Sequence, residues 1–460
     1  MRKNFFSLTL LIISIIILIY SIFKSEFIFS GTMRRYYIYF YILSAFFFIF
    51  SILSFFLNQN QNRYLKIIFL SSVFTLYMFE FYLAFNIGKK INNFKKKKEY
   101  YNITKKEYDF RDGYQFFLHK KEKEKNIKFY VQPDNFLNSE SQNIFPLAGL
   151  SYSKTIHCNE NGYYSIYKSD RYGFNNSDDK IWDKDEIDFV LVGDSFVHGA
   201  CVNPKDTFSE NLKNLSGKNV LNLGYGGNGS LIQYATLKEY SPKYPKNILW
   251  FYFEENDIKE LSKEINNPLL KKYLSNDSYK QNLKIKQSII DLKIEKWIEK
   301  KVKAKNIRKK DFKNQKTDQW WFFFNNKLFS IAKLWNTRHA IFFSHKNQVF
   351  ENNSMSTNDF EKIIKKLKKF SLEKESKVYF VYLPGYWRYK YDIVPENYFP
   401  IIKIVQENGI KVIDVNDIFF KDTKNPLSFF PFRQFGHYNE NGYKIIMTKI
   451  YNEILKDRNK

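Results

Sequence analysis

Ile187-Asp188-Phe189-Val190-Leu191-Val192-Gly193-Asp194-Ser195-Phe196 is a short apolar run that ends in a Gly-Asp-Ser turn. Its branched and aromatic residues suit a buried strand, and a helical pattern follows to about residue 215. Catalytic groups of open α/β sheets gather at the carboxyl ends of strands. Ser195 therefore stands exposed beside a helix N-terminus, placed to attack a carbonyl. The rhythm recurs downstream. Asn219–Leu223, Asn247–Phe253, Lys377–Leu383 and Lys411–Val415 read as further strands. Helical segments fall near 231–240, 359–372, 398–407 and 439–455. This alternation predicts an α/β domain over 185–460, a parallel sheet covered by helices on both faces. An insertion at about 258–358 interrupts it. There Ile285, Ile289 and Leu292, with Ile290, Ile294, Trp297 and Val302, recur at helical spacing among basic residues. A helix packed on the domain is the plain expectation; a membrane-lying helix or a lid is the sharper one.

A serine needs a base to take its proton. His437, in Gly436-His437-Tyr438-Asn439, precedes the last helical segment and can reach the same sheet edge. An oxyanion needs fixed donors. The turn Asn222-Leu223-Gly224-Tyr225-Gly226-Gly227-Asn228 offers the Gly227 N–H, and Glu254-Glu255-Asn256-Asp257 offers the Asn256 amide. Asp194, His198 and Arg388 are further candidates for substrate contact. A helix-start role for His198 and surface roles for Arg171 and Arg388 are the plainer alternatives. The sequence has two cysteines, Cys158 and Cys201, and no Cys-x-x-Cys motif, so neither a structural metal nor a cofactor is expected.

Taken in order, these blocks resemble the SGNH hydrolase superfamily, also called GDSL esterases, over about 185–260 and 375–455. The matches are Gly193-Asp194-Ser195-Phe196, with Phe for the usual Leu; Gly227; Asn256; and Gln434-Phe435-Gly436-His437. The resemblance implies a three-layer α/β/α, flavodoxin-like fold and hydrolysis or transfer of acyl esters. It implies Ser195 as nucleophile and His437 as base. The Ser195 N–H, the Gly227 N–H and the Asn256 side chain then hold the oxyanion. One position departs: where the family places the acid that orients the histidine, this chain has Gln434. A Ser195–His437 dyad oriented by Gln434 or a backbone carbonyl is the favoured expectation. An acid from elsewhere, such as Asp414 or Asp417, and a degenerate glycan-binding or scaffolding module are the alternatives.

The remaining chain is expected to anchor and flank this domain. Phe5–Phe23, Tyr36–Leu57 and Ile67–Ile87 each reach the roughly 20 apolar residues that cross a bilayer, giving three transmembrane helices over 1–88. Glu80 inside the third is expected near an end or paired within the bundle. A basic connector covers 89–110, and an extension packed on the catalytic domain covers 111–184. Lys89, Lys90 and Lys95–Lys98 argue for a cytoplasmic domain. The abundance of Lys throughout and the family resemblance argue instead for an extracytoplasmic one on the cytoplasmic membrane. Export would let Cys158 and Cys201 form a disulfide that clamps the extension beside the nucleophile. The net charge of +26 is mostly Lys, arriving with much Asn, Ile, Phe and Tyr, all with A/T-rich codons. With no nucleic-acid module present, no nucleic-acid partner is expected. The expected partners are membrane lipid and an acylated carbohydrate or lipid substrate.

Overall fold

A computed structural model of the chain describes residues 5–28, 34–85, 87–138, 143–314, 328, 330–332, 334–342 and 354–458. They divide into two compact units, Met1–Gly88 with Phe323–Ala340, and Lys89–Phe322 with Ile341–Lys460. The 258–358 insertion is thus shared between the units rather than lying wholly in the catalytic domain.

The first unit is built on helices Phe5–Ile22, Arg34–Phe56 and Gln59–Ala84, the first continuing as a π-helical stretch over Phe23–Ile28. Two helices, Phe5–Ile28 and Gln59–Ala84, are long and apolar enough to cross a membrane. The expected third span is shorter: only Phe40–Phe56 of the middle helix is apolar, because Arg34, Arg35 and three tyrosines occupy its start. Burial here is inverted. Ser7, Ser14, Ser21, Ser44, Ser51 and Ser54 are buried, while Ile16, Ile19, Ile49 and Phe74 are exposed. Ser44 Oγ donates to Ser14 O at 2.9 Å and Ser51 Oγ to Ser7 O at 2.7 Å. Small hydroxyl residues let the helices approach closely, as in helix pairs surrounded by hydrocarbon. Glu80 accepts hydrogen bonds from the Asn336 and Thr337 N–H groups at 3.1 and 2.7 Å. Its charge is therefore met by the start of helix Trp335–Phe342, from the insertion.

The second unit carries two sheets. Strands β1 (Ile127–Phe129), β2 (Lys154–Ile156) and β3 (Ile166–Lys168) form a small one in that order, β1 and β2 parallel, β2 and β3 antiparallel. The main sheet comprises β4 (Glu186–Val192), β5 (Val220–Asn222), β6 (Tyr244–Phe253), β7 (Lys377–Leu383) and β8 (Lys411–Asp414). Its order is β5-β4-β6-β7-β8, and every pairing is parallel. Alternate residues feed opposite layers, as the two-residue period of a strand requires. Val190, Val192, Ile248, Trp250, Phe380 and Tyr382 face helices Ser230–Tyr240, Ser354–Glu373 and Tyr398–Glu407. Phe189, Leu191, Leu249, Phe251, Tyr379 and Val381 face helices Phe208–Ser216 and Glu440–Arg458. Burying each large apolar side chain contributes about 1.5–3 kcal/mol, so both layers are held firmly. Order and layering match the expected three-layer, flavodoxin-like architecture.

The flanking segments have more structure than the sequence suggested. Ile87–Thr104, expected as a connector, is a helix. The extension places Phe145, Leu147, Ala148 and Phe174 in the core on the Val190 face. In helix Gln287–Asn314, Ile290, Ile294 and Ile298 are buried in that core, while Ile285 just before the helix, Ile289 and Leu292 are exposed. One face packs on the domain as the plain expectation had it.

Candidate active site

Val192 ends β4, and Ser195 opens the short helix Ser195–His198. Asp194 caps that helix: its Oδ1 accepts the Phe196 N–H at 2.9 Å, and its Oδ2 lies 3.3 Å from Ser195 Oγ. The loop before the last helix, Glu440–Arg458, brings in His437. Its Nε2 lies 2.8 Å from Ser195 Oγ.

The other imidazole nitrogen meets Glu160. His437 Nδ1 is 3.1 Å from both Glu160 Oε1 and Oε2, and the His437 backbone N–H donates to Oε2 at 2.6 Å. A Cβ at Gly436 would stand 2.7 Å from that Oε2, so only glycine leaves the carboxylate room. The loop carrying Glu160 is tied down on every side. Asn159 Nδ2 donates to Asp109 O at 2.7 Å, and the Gly162 N–H donates to Asn159 Oδ1 at 2.9 Å. Asn161 Nδ2 donates to Cys201 O at 3.0 Å, and a disulfide joins Cys158 to Cys201. Burial opposes charge on both partners. On Glu160, His437 and its hydrogen bonds outweigh burial and hold the carboxyl below its ordinary value. On His437, burial is outweighed by Glu160, with Asp194 and Glu255 assisting, and the imidazole is raised above its ordinary value.

The expected orienter is corrected by this geometry. Gln434 does not reach His437 Nδ1, because Glu160 occupies that place; the Gln434 backbone N–H instead donates to Pro431 O at 3.0 Å. Asp414 caps the turn at Val415–Ile418 and accepts the Tyr398 hydroxyl at 2.5 Å. Asp417 faces Lys421 at 3.9 Å.

The candidate oxyanion donors follow β5 and β6 at the carboxyl edge of the sheet. Asn256 Nδ2 donates to Glu260 Oε1 at 3.0 Å and also hydrogen-bonds Asp194, which fixes the amide at the end of β6. In the glycine turn, Gly226 borders the nucleophile: a Cβ there would stand 3.3 Å from Ser195 Cβ. Its N–H donates to Tyr130 Oη at 2.7 Å. Gly227, with φ +76°, faces Gln132 and Asp134. Its N–H has no partner among the described residues.

The three candidate substrate contacts are engaged internally. Asp194 is buried as the cap just described. His198 is buried among Tyr130, His157, Tyr167 and Tyr225, with Nδ1 3.3 Å from Gly224 O. Burial pushes its pKa down to about 3, so it is not a second base for Ser195. Arg388 is buried rather than on the surface. It pairs with Glu254 at 2.7 Å and lies over the Tyr398 ring. Arg171 pairs with Asp179 and Asp183 at 2.8 and 2.6 Å. Glu160, Cys201 and His437 offer ligand atoms within 4.8 Å of one another. Cys201 is in the disulfide and His437 Nδ1 is bonded to Glu160, so the trio does not form a metal site.

Glu160 is the functional residue that the sequence reading missed. The signal available was its place two residues after Cys158, once that cysteine was paired with one beside the nucleophile.

Neither a protein-family profile nor a curated protein matches the sequence. Among solved structures, a lipolytic protein of the G-D-S-L family from Desulfitobacterium hafniense DCB-2 aligns at 12% identity and TM-score 0.29. That alignment covers 58% of this chain and 98% of the other. The acetyl xylan esterase AlAXEase aligns at 14% identity and TM-score 0.31, covering 58% and 100%. Strand order β5-β4-β6-β7-β8, with Ser195, the glycine turn, Asn256 and His437 at its carboxyl edge, is the arrangement that the resemblance to SGNH/GDSL-type hydrolases implies.

Proposed function

We propose that this protein is a membrane-anchored serine esterase or O-acyltransferase acting on acyl esters of envelope carbohydrate or lipid. The observation that carries the reading is the hydrogen-bonded chain Ser195 Oγ, His437 Nε2, His437 Nδ1, Glu160. As Ser195 Oγ bonds to the ester carbonyl carbon, its proton passes to His437 Nε2, and Glu160 stabilises the imidazolium. The carbonyl oxygen takes up negative charge against the Ser195 N–H and the Gly227 N–H, and Asn256 joins them by releasing Glu260. Collapse breaks the carbon–oxygen bond to the alcohol, which leaves with the Nε2 proton. Water or an acceptor hydroxyl then gives its proton to Nε2, attacks the acyl-serine and frees Ser195. Anchoring is supported by the two apolar helices and the inverted burial of the first unit. Placement outside the cytoplasm is supported by the disulfide beside the site.

Full-length protein in detergent should hydrolyse a short-chain p-nitrophenyl ester and react with a fluorophosphonate probe. Ser195→Ala should lose both. Equal turnover by wild type and Ser195→Ala across acyl lengths would remove the esterase reading. A catalytically weak module that binds glycan or scaffolds envelope assembly is the other reading, invited by Gln434 and by Glu254 and Glu255 before Asn256. It loses the first motive, since Glu160 meets His437 Nδ1.

A further inference from the structure

We infer that the Tyr130 hydroxyl, supplied by the N-terminal extension, is an additional oxyanion donor for the esterase reaction proposed above. Tyr130 directly follows β1, and its Oη accepts the Gly226 N–H at 2.7 Å. The point where a Gly226 Cβ would stand is 2.8 Å from Tyr130 Oη and 3.3 Å from Ser195 Cβ. Phenol and nucleophile thus flank the same glycine.

The ring is held in place. It stacks on Tyr225 with centroids 4.8 Å apart and planes 19° from parallel, and it contacts His157 at 4.2 Å and His198 at 5.1 Å. The Tyr130 backbone N–H donates to Ile156 O at 3.2 Å. With its oxygen accepting from Gly226, the phenol proton points elsewhere, and no acceptor takes it among the described residues. Burial raises the phenol well above its ordinary value, so the group keeps its proton at neutral pH. A hydroxyl that already accepts a hydrogen bond is a stronger donor. The Gly226 N–H, capped by the phenol, is relayed through it to the oxyanion. No proton is transferred; the hydroxyl only stabilises charge that appears on the carbonyl oxygen.

Tyr130→Phe keeps the ring and removes the donor. Full-length wild type, Tyr130→Phe and Ser195→Ala are compared in detergent on a short-chain p-nitrophenyl ester. Affinity for a phenylboronic acid, which forms a tetrahedral adduct on the nucleophile, is measured in parallel. Losing one oxyanion donor lowers kcat by about 10²–10³. We expect that loss in Tyr130→Phe with KM within about twofold, and a parallel loss of boronate affinity. An unchanged kcat and boronate affinity would overturn the inference. A rise in kcat would also overturn it, showing that the phenol blocks the hole. Should Tyr130→Phe fail to fold, a 2,3-difluorotyrosine at 130 keeps the shape and strengthens the donor. Its boronate affinity should then rise, and no change refutes the role. A wild type that neither turns over nor binds the boronate removes the esterase reading as well. An active wild type with an unaffected Tyr130→Phe removes only this one.

Discussion

Glu160→Gln tests the acid assignment most sharply, because the two side chains have the same shape and differ in what they can accept. In the native protein both carboxylate oxygens face His437, one of them also accepting the His437 backbone N–H at 2.6 Å. That backbone group can only donate. Glutamine has one acceptor oxygen, which the backbone N–H claims, leaving its NH2 against Nδ1. Nδ1 must then act as acceptor, the imidazole proton moves to Nε2, and Nε2 cannot take the Ser195 proton. A wrong tautomer of this kind costs about 10⁴ in kcat in a serine–histidine–acid triad, or about 5.5 kcal/mol of barrier. We therefore expect Glu160→Gln to lower kcat by about 10³–10⁴, with KM near wild type and thermal stability retained. Gln434→Ala, measured beside it, should stay within about threefold of wild type, since Glu160 and not Gln434 meets His437 Nδ1. The assay is p-nitrophenyl ester turnover together with the rate of fluorophosphonate labelling. Glu160→Gln within tenfold of wild type, or Gln434→Ala falling as far, would refute the reasoning.

Gly436→Ala should reduce kcat without unfolding the protein, because a Cβ 2.7 Å from Glu160 Oε2 pushes a side-chain end aside, not backbone. Unchanged turnover would show that the acid needs no such fit. The base works only when neutral, so kcat/KM should rise with pH through a His437 pKa that lies above its ordinary value. Removing the Glu160 charge lowers that pKa and moves the limb to lower pH, and an unmoved limb in a pH profile of Glu160→Gln would contradict the pairing. Reducing Cys158–Cys201, which are 43 residues apart, releases a constraint worth about 4 kcal/mol in the chain-entropy model. Thermal unfolding and ester turnover with and without dithiothreitol should fall together, since the same loop carries Glu160; activity that is indifferent to reduction counts against the clamp.

Much of this site is written in local sequence. The run at 187–192 has the alternation that feeds two core layers, and the structure places β4 at Glu186–Val192. Ser195, Asn256 and His437 were readable because each sits where a strand or loop gives way to a helix. The acid was not, because it is fixed by tertiary contacts alone. Glu160 lies 277 residues from His437, in a loop between short strands whose place is set by a disulfide and side-chain bonds. Gln434 occupies the family's usual position. Left-handed residues Phe432 and Arg433 bend the chain just before it, and Gly436 leaves the gap that Glu160 fills. The first unit departs for a related reason: a 20-residue apolar count does not see that tyrosines and arginines open the second helix, whereas Glu80 is paired, with residues 336 and 337.

The extension, expected only to pack on the domain, therefore reaches the candidate site. Glu160 hydrogen-bonds His437, and Tyr130 meets the glycine turn from the same segment. Cys158 holds that segment to Cys201, six residues after the nucleophile, and Phe145, Leu147 and Phe174 belong to the sheet's own core. A chain cut to 185–460 would lose the acid and expose that core face together. The proposed activity depends on two stretches of sequence meeting, and the disulfide marks where they meet.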